Sequence, residues 1–225
     1  MAENTVQKTS AEKINTFLTR NRKVILTVCA LVMAAVIVGT VCVVVSARQT
    51  EKGLAKLDAI AYALMQNAAE LAGDDLAARQ ETALSALAAL TGKGGIVGTR
   101  ANMLAADLYF QRKDYERAKD AWLKAAGAKK NAYTAPICWF NAATAAENAD
   151  DLDTALDCYQ KAADAAGFLL ADHALFSVGR VCEAKQDFAA AAEAYRRLND
   201  VSPDSDWASL AKTRLIALKA SGSID

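Results

Sequence analysis

The chain has 225 residues and a formal net charge of zero, with 26 basic and 26 acidic side chains. Most of the chain, from residue 47 onward, is net negative, which argues against nucleic-acid binding because that function needs a basic patch. Alanine is abundant and β-branched residues become rare in this part. This composition predicts an all-α fold, in one domain or a short repeat array.

Residues 1–23 form a short basic tail, with five basic residues against two acidic ones. Residues 24–46 carry no charge and no proline. As a helix this run would reach about 35 Å, enough to cross a hydrocarbon core of about 30 Å. It predicts one transmembrane helix, and the basic tail favours a cytoplasmic N-terminus. In a bacterium, this orientation predicts a single-pass protein of the inner membrane with its C-terminal domain in the periplasm.

Two further readings of the apolar run stay open. Small residues at positions 45–47 fit a signal-peptidase site, although the run is longer than the apolar region of a secretory signal, of about 7–15 residues. The length favours an uncleaved anchor. The pairs Ala30/Ala34 and Ala35/Gly39 have the small-xxx-small spacing of closely packed membrane helices and indicate a homodimer.

Residues 47–98 predict a helical hairpin. Apolar residues recur every three or four positions over residues 48–71, which predicts one long helix. Gly73 ends it, and Asp74 or Asp75 is expected to cap a second helix over residues 76–90. Glycines in residues 91–95 end the hairpin.

From residue 99 the sequence repeats itself three times. Each segment has an alanine at the predicted crossing of two helices and a large aromatic residue four positions later. The alanines are 37 and 36 residues apart. These pairs are Ala118 and Trp122, Ala155 and Tyr159, and Ala191 and Tyr195. Short polar turns separate the two helices of each segment, at residues 112–114, 149–151 and 185–187.

This spacing resembles the tetratricopeptide repeat (TPR) family, whose unit is a helix pair of 34 residues. The resemblance implies three units, at about 99–132, 136–169 and 172–205, stacked as an α-solenoid of antiparallel helix pairs. The third unit matches best, with Gly179 and Pro203 in place. The second departs at the tyrosine of the family, where Ala146 stands, and the first lacks the final proline.

Residues 206–225 predict a capping helix and a frayed tail. A terminal helix is needed because the last unit of an array otherwise exposes its apolar flank. We expect Ser202 and Pro203 to begin this helix. The residues expected on its inner face are Trp207, Leu210, Ala211, Leu215 and Leu218.

No catalytic motif, metal-ligand spacing or cofactor fingerprint is present in the sequence, so we predict neither an enzyme nor a cofactor. His173 is the only histidine. Cys138, Cys158 and Cys182 cannot all pair within one chain, and we expect buried thiols, with one disulfide left open as an alternative.

The TPR resemblance implies a concave groove lined by the first helix of each unit, which would bind other proteins. We transferred the groove positions of the TPR family to this sequence one by one. The expected lining is Arg100, Met103, Asp107, Phe110, Ile137, Phe140, Thr144, Glu147, His173, Phe176, Arg180 and Glu183. Met103, Phe140 and Phe176 occupy equivalent places. They form a partner site if exposed, or the hairpin or the terminal helix covers them. Both alternatives stay open.

The layout as a whole resembles the bacterial ancillary subunit of the SecYEG translocon: a cytosolic tail, one span and a periplasmic TPR domain. That resemblance implies an accessory role in protein translocation, with translocon components and periplasmic chaperones as partners. The alternative is a scaffold subunit of an envelope-spanning assembly, such as a flagellar collar or an outer-membrane assembly complex.

Overall fold

The structure, a computed structural model, describes residues 10–67, 73–128 and 132–225. These ranges form helices and no strand, which confirms the all-α prediction. The helices are α1 Ser10–Arg20, α2 Arg22–Met65, α3 Asp74–Thr91, α4 Gly95–Gln111, α5 Tyr115–Gly127, α6 Ala135–Asn148, α7 Leu152–Ala163, α8 Ala171–Ala184, α9 Phe188–Val201 and α10 Asp206–Ala220.

Residues 1–52 form the N-terminal unit. It contains α1, which was not predicted and which carries Ile14, Phe17 and Leu18 exposed at the spacing of an apolar stripe. Residues 24–46 fall inside α2, whose most apolar stretch has no buried residue. By length and composition this helix can cross a membrane, and a signal sequence passes the same test.

The C-terminal unit, Gly53–Asp225, is an α-solenoid. Each helix from α3 to α10 packs on the next, and short turns make neighbours antiparallel. One apolar cluster joins the end of α2 to α3 and α4 around Leu57 and Leu87. A second cluster runs without interruption from α4 to α10. The core is therefore a continuous stripe along the array, as expected for stacked repeats.

Small residues at the helix crossings allow close packing within each unit. Ala118, Ala155 and Ala191 have no solvent exposure. The aromatic residues four positions later, which are Trp122, Tyr159 and Tyr195, are at most 4% exposed. A larger side chain at an alanine position would displace the facing helix, because packed interiors tolerate little extra volume.

The three turns share one backbone geometry. Their central residues are Lys113, Asp150 and Gln186, with φ of 58°, 62° and 61°. In the third turn the N–H of Asp187 donates to the carbonyl of Cys182 at 2.9 Å, and its carboxylate accepts from the N–H of Ala190 at 3.1 Å. Asp114 and Asp151 repeat both bonds. Each turn is thus a Schellman motif whose last residue caps the next helix.

The N-caps of two helices differ from those predicted. Ser205, and not Ser202, caps α10, because its hydroxyl accepts from the N–H of Ala208 at 3.1 Å. Ser202 instead ends α9 and donates its hydroxyl to Asp172 at 2.7 Å. At α3 the N-cap is Gly73, and the two aspartates expected to cap it lie in the first turn, where the helix dipole stabilises them.

Both ends of the predicted solenoid also differ from expectation. The described part of the long helix stops at Met65, and residues 68–71 of that prediction lie outside the described residues. At the other end the tail does not fray. Ser223 donates its N–H to the carbonyl of Leu218 at 3.0 Å, and Ile224 packs on the second cluster. Leu210 was expected on the inner face of α10 but is 48% exposed.

The positive φ of Gln186 strains its backbone, because a Cβ crowds the following carbonyl in this region. Gln186→Gly should raise the free energy of unfolding by about 0.5–1 kcal/mol, since relief of strain exceeds the added entropy of the unfolded chain. Thermal unfolding of the full chain in detergent, followed by circular dichroism, measures this change. Gln186→Ala is the control and should give no gain. Equal gains from both variants would contradict the strain argument.

Gly179 lets α8 approach the ring of Tyr195, because a Cβ at this position would lie 2.3 Å from the ring. Gly179→Ala should therefore lower the free energy of unfolding by about 1–3 kcal/mol through overpacking. Gly127→Ala is the matched control, since a Cβ there meets no atom within 4 Å. The same unfolding assay applies, and wild-type stability in Gly179→Ala would show that the close approach is absent.

Candidate partner-binding groove

A cavity of about 570 Å³ lies between α6 and α8, the first helices of the second and third units. Its lining is Phe140, Thr144, Glu147, Asn148, Tyr159, His173 and Arg180. We call this cavity the α6–α8 groove. Five of the twelve residues expected in the groove line it together. Asn148 and Tyr159 were not expected there, although Asn148 directly follows Glu147 and Tyr159 was identified as the packing aromatic of its unit.

The floor of the α6–α8 groove is aromatic. Phe140 is 9% exposed and meets the ring of Tyr159 edge-on at 5.4 Å and that of His173 at 4.9 Å. Edge-to-face contacts at these distances stabilise a packed cluster beyond the area it buries. Phe140 therefore forms the base of the cavity and offers little surface of its own.

The rim of the α6–α8 groove is an ion pair with hydrogen-bonded support. Arg180 of α8 donates to both carboxylate oxygens of Glu147 on α6, at 2.8 Å to Oε2. The hydroxyl of Tyr159 donates to Glu147 at 3.3 Å and lies 3.1 Å from that of Thr144. The bidentate pair fixes the guanidinium, and Arg180 still has about half of its side chain exposed.

The same arrangement recurs one unit along the array. Arg214 of α10 pairs with Glu183 of α8, and the hydroxyl of Tyr195 donates to Glu183 at 2.6 Å. Here the terminal helix covers the floor. Trp207 stacks on His173 with ring centroids 3.8 Å apart and lies 5.3 Å from Phe176. Helix α10 thus fills the groove beyond α8.

The remaining predicted residues are not brought into this cavity. Arg100 pairs with Asp58 of α2 at 2.9 Å, and Met103 and Phe110 pack against the second cluster. Asp107 is exposed. Ile137 lines a different, larger cavity at the ends of the helices. The α4 face of the predicted groove is therefore used partly for contact with α2 and the core.

The cysteines of this unit are buried free thiols. Burial raises the pKa of Cys138 to about 12 and that of Cys158 to about 11. Neutral thiols of this kind are poor nucleophiles and poor metal ligands. No cluster of three or more potential metal-ligating side chains occurs among the described residues.

No protein-family model matches the chain. A TPR repeat-containing protein of Treponema pallidum (strain Nichols) is 35% identical over 153 residues, which is 67% of this chain. The alignment covers 64% of that relative, so the chain spans less than two thirds of its length. The similarity supports a TPR protein. The α-solenoid of helix pairs described above is consistent with it.

Burial and the charge of Arg180 lower the pKa of His173 below its usual value. The unfolded chain then binds a proton that the folded chain resists, so stability should fall as pH decreases below about 6.5. Because His173 is the only histidine, one imidazole signal in an NMR titration reports its pKa.

The Arg180→Gln variant should raise this pKa, because it removes a positive charge and leaves Glu147 unpaired beside the ring. Arg214→Gln removes the equivalent ion pair of α10 and is the control, since Arg214 does not perturb His173. An equal rise in both variants would contradict a direct effect of Arg180.

Proposed function

We propose that this chain is a membrane-anchored protein that binds other proteins through its TPR array. Helix α2, with five basic residues before its apolar run, is the anchor, and it leaves the TPR array on the extracytoplasmic side. In a bacterium that side is the periplasm. The small residues of the apolar run support a homodimer within the membrane.

The α6–α8 groove is the observation that carries the binding role. It combines an aromatic floor with a fixed cation and anion, Arg180 and Glu147, and with the exposed amide of Asn148. Such a surface suits an extended peptide, since the peptide backbone can meet the polar rim above the aromatic floor.

The partners that fit the layout best are components of protein translocation and periplasmic chaperones. Translocating and newly released chains are extended and present free backbone N–H and C=O groups, which the polar rim of the groove can bind. An accessory factor of this kind needs a tether and a binding surface. A scaffold subunit of an envelope-spanning assembly is the alternative, and it would hold one neighbour at a fixed ratio.

Photo-crosslinking in intact cells tests the groove. A photoreactive phenylalanine analogue at Asn148, which lies exposed in the α6–α8 groove, should capture translocon or chaperone components, identified by mass spectrometry. The same analogue at Arg196, exposed on α9 and away from this cavity, is the control and should capture far less.

The crosslinked products distinguish an accessory factor of translocation from a scaffold subunit. Crosslinks from Asn148 to a single neighbour in a particle of constant composition favour the scaffold subunit. Labelling that is confined to the chain itself, or equal from Asn148 and Arg196, contradicts a partner in the groove.

A further inference from the structure

The TPR array has two edges that differ in their exposed apolar residues. One carries the three turns, each of which has at least two charged residues among three. The other, which we call the linking edge, carries the described parts of the connections between successive pairs, at residues 92–94, 128, 132–134, 164–170 and 202–205. Each connection has an exposed apolar residue in it or beside it. These are Ile96, Tyr133, Leu169, Leu170 and Val201.

The middle of the linking edge is the most apolar. Tyr133 is 90% exposed and Leu169 is 97% exposed. Between them lies a cavity of about 1180 Å³, and none of its described lining residues is charged. The lining includes Ile137, Trp139 and Phe168. Exposed apolar residues on loop tips indicate a contact site, because apolar side chains in water do not stabilise the fold.

The proposed tether joins the C-terminal unit at the linking edge. Gly53 packs closely on Val97 near the start of α4, and the N–H of Gly95 donates to the carbonyl of Ala128 at 3.0 Å. The chain therefore enters the C-terminal unit at the linking edge. Only six residues separate Gly53 from the apolar run that ends at residue 46, a reach of at most about 25 Å whatever the path.

We propose that the linking edge contacts the surface of the lipid bilayer, with Tyr133 and Leu169 in its interfacial layer. The inference rests on the proposed membrane anchorage. Tyrosine and tryptophan favour this layer, because the ring meets the acyl chains while the polar group stays hydrated. A bilayer fits better than a protein partner, since the exposed residues are spread over successive loop tips of one edge and the tether holds that edge near lipid at high effective concentration.

Fluorescence quenching tests this contact in the full chain. The chain is placed in nanodiscs of phosphatidylcholine and phosphatidylglycerol that carry nitroxide-labelled headgroups, with a fluorescent amino acid at Leu169. That label should lose most of its emission. The matched label at Gln186 should keep it, because α8 has 14 residues and separates the two edges by about 21 Å.

A second variant tests whether the fluorescence quenching at Leu169 depends on Tyr133. Tyr133→Glu should reduce the quenching at Leu169 without loss of helical circular dichroism, since Tyr133 lies in solvent. Co-elution with nanodiscs but no quenching at Leu169 overturns the lipid contact and leaves the anchor intact. Protection of the label only after addition of membrane proteins also overturns it, in favour of a protein partner. Failure to co-elute overturns the anchor, and with it this inference.

Discussion

The alanine at each helix crossing is the constraint on which the rest of the array depends. Because Ala118, Ala155 and Ala191 present only a methyl group, the two helices of each unit approach closely, and the aromatic residue four positions later fills the remaining space. In the second and third units this aromatic is a tyrosine. The tyrosine hydroxyl donates to a glutamate on the first helix of the unit. Tyr159 donates to Glu147 at 3.3 Å, and Tyr195 donates to Glu183 at 2.6 Å. The packing of the core therefore also sets the chemistry of the concave surface.

That coupling explains why the polar part of the groove begins at α6. In the first unit the aromatic is Trp122, which has no hydroxyl, and Phe110 stands where the later units have glutamate. Phe110 instead meets the ring of Tyr115 at 5.2 Å and stays with the core. At the other end α10 behaves as the first helix of a further unit. Trp207 and Arg214 follow His173 and Arg180 by 34 residues and make the contacts that such a helix would make. The α6–α8 groove lies between these two ends.

Much of this fold was predictable from the sequence because its signals are local. The alanine and aromatic spacings, the aspartates after each turn and the apolar run act within about seven residues, so their pattern is visible without a structure. Features that depend on packing between helices were not predictable. Tyr159 reaches the groove only because of the rotation of α7 against α6. Ser202 and Ser205 are equally good caps in isolation, and the contact of Ser202 with Asp172 decides between them. Ile224 is held by a core that its own neighbours in sequence do not reveal.

The difference between the two edges follows from backbone geometry. Each turn uses a left-handed residue and a capping aspartate, and both requirements favour polar side chains, so polar and charged residues predominate in the turns. The links between units carry no such shared motif. They differ in length, from three residues at 92–94 to seven at 128–134 and 164–170. Selection can therefore alter them without loss of the repeat. Leu169, at 97% exposure, contributes nothing to the core and is available for contacts outside the array.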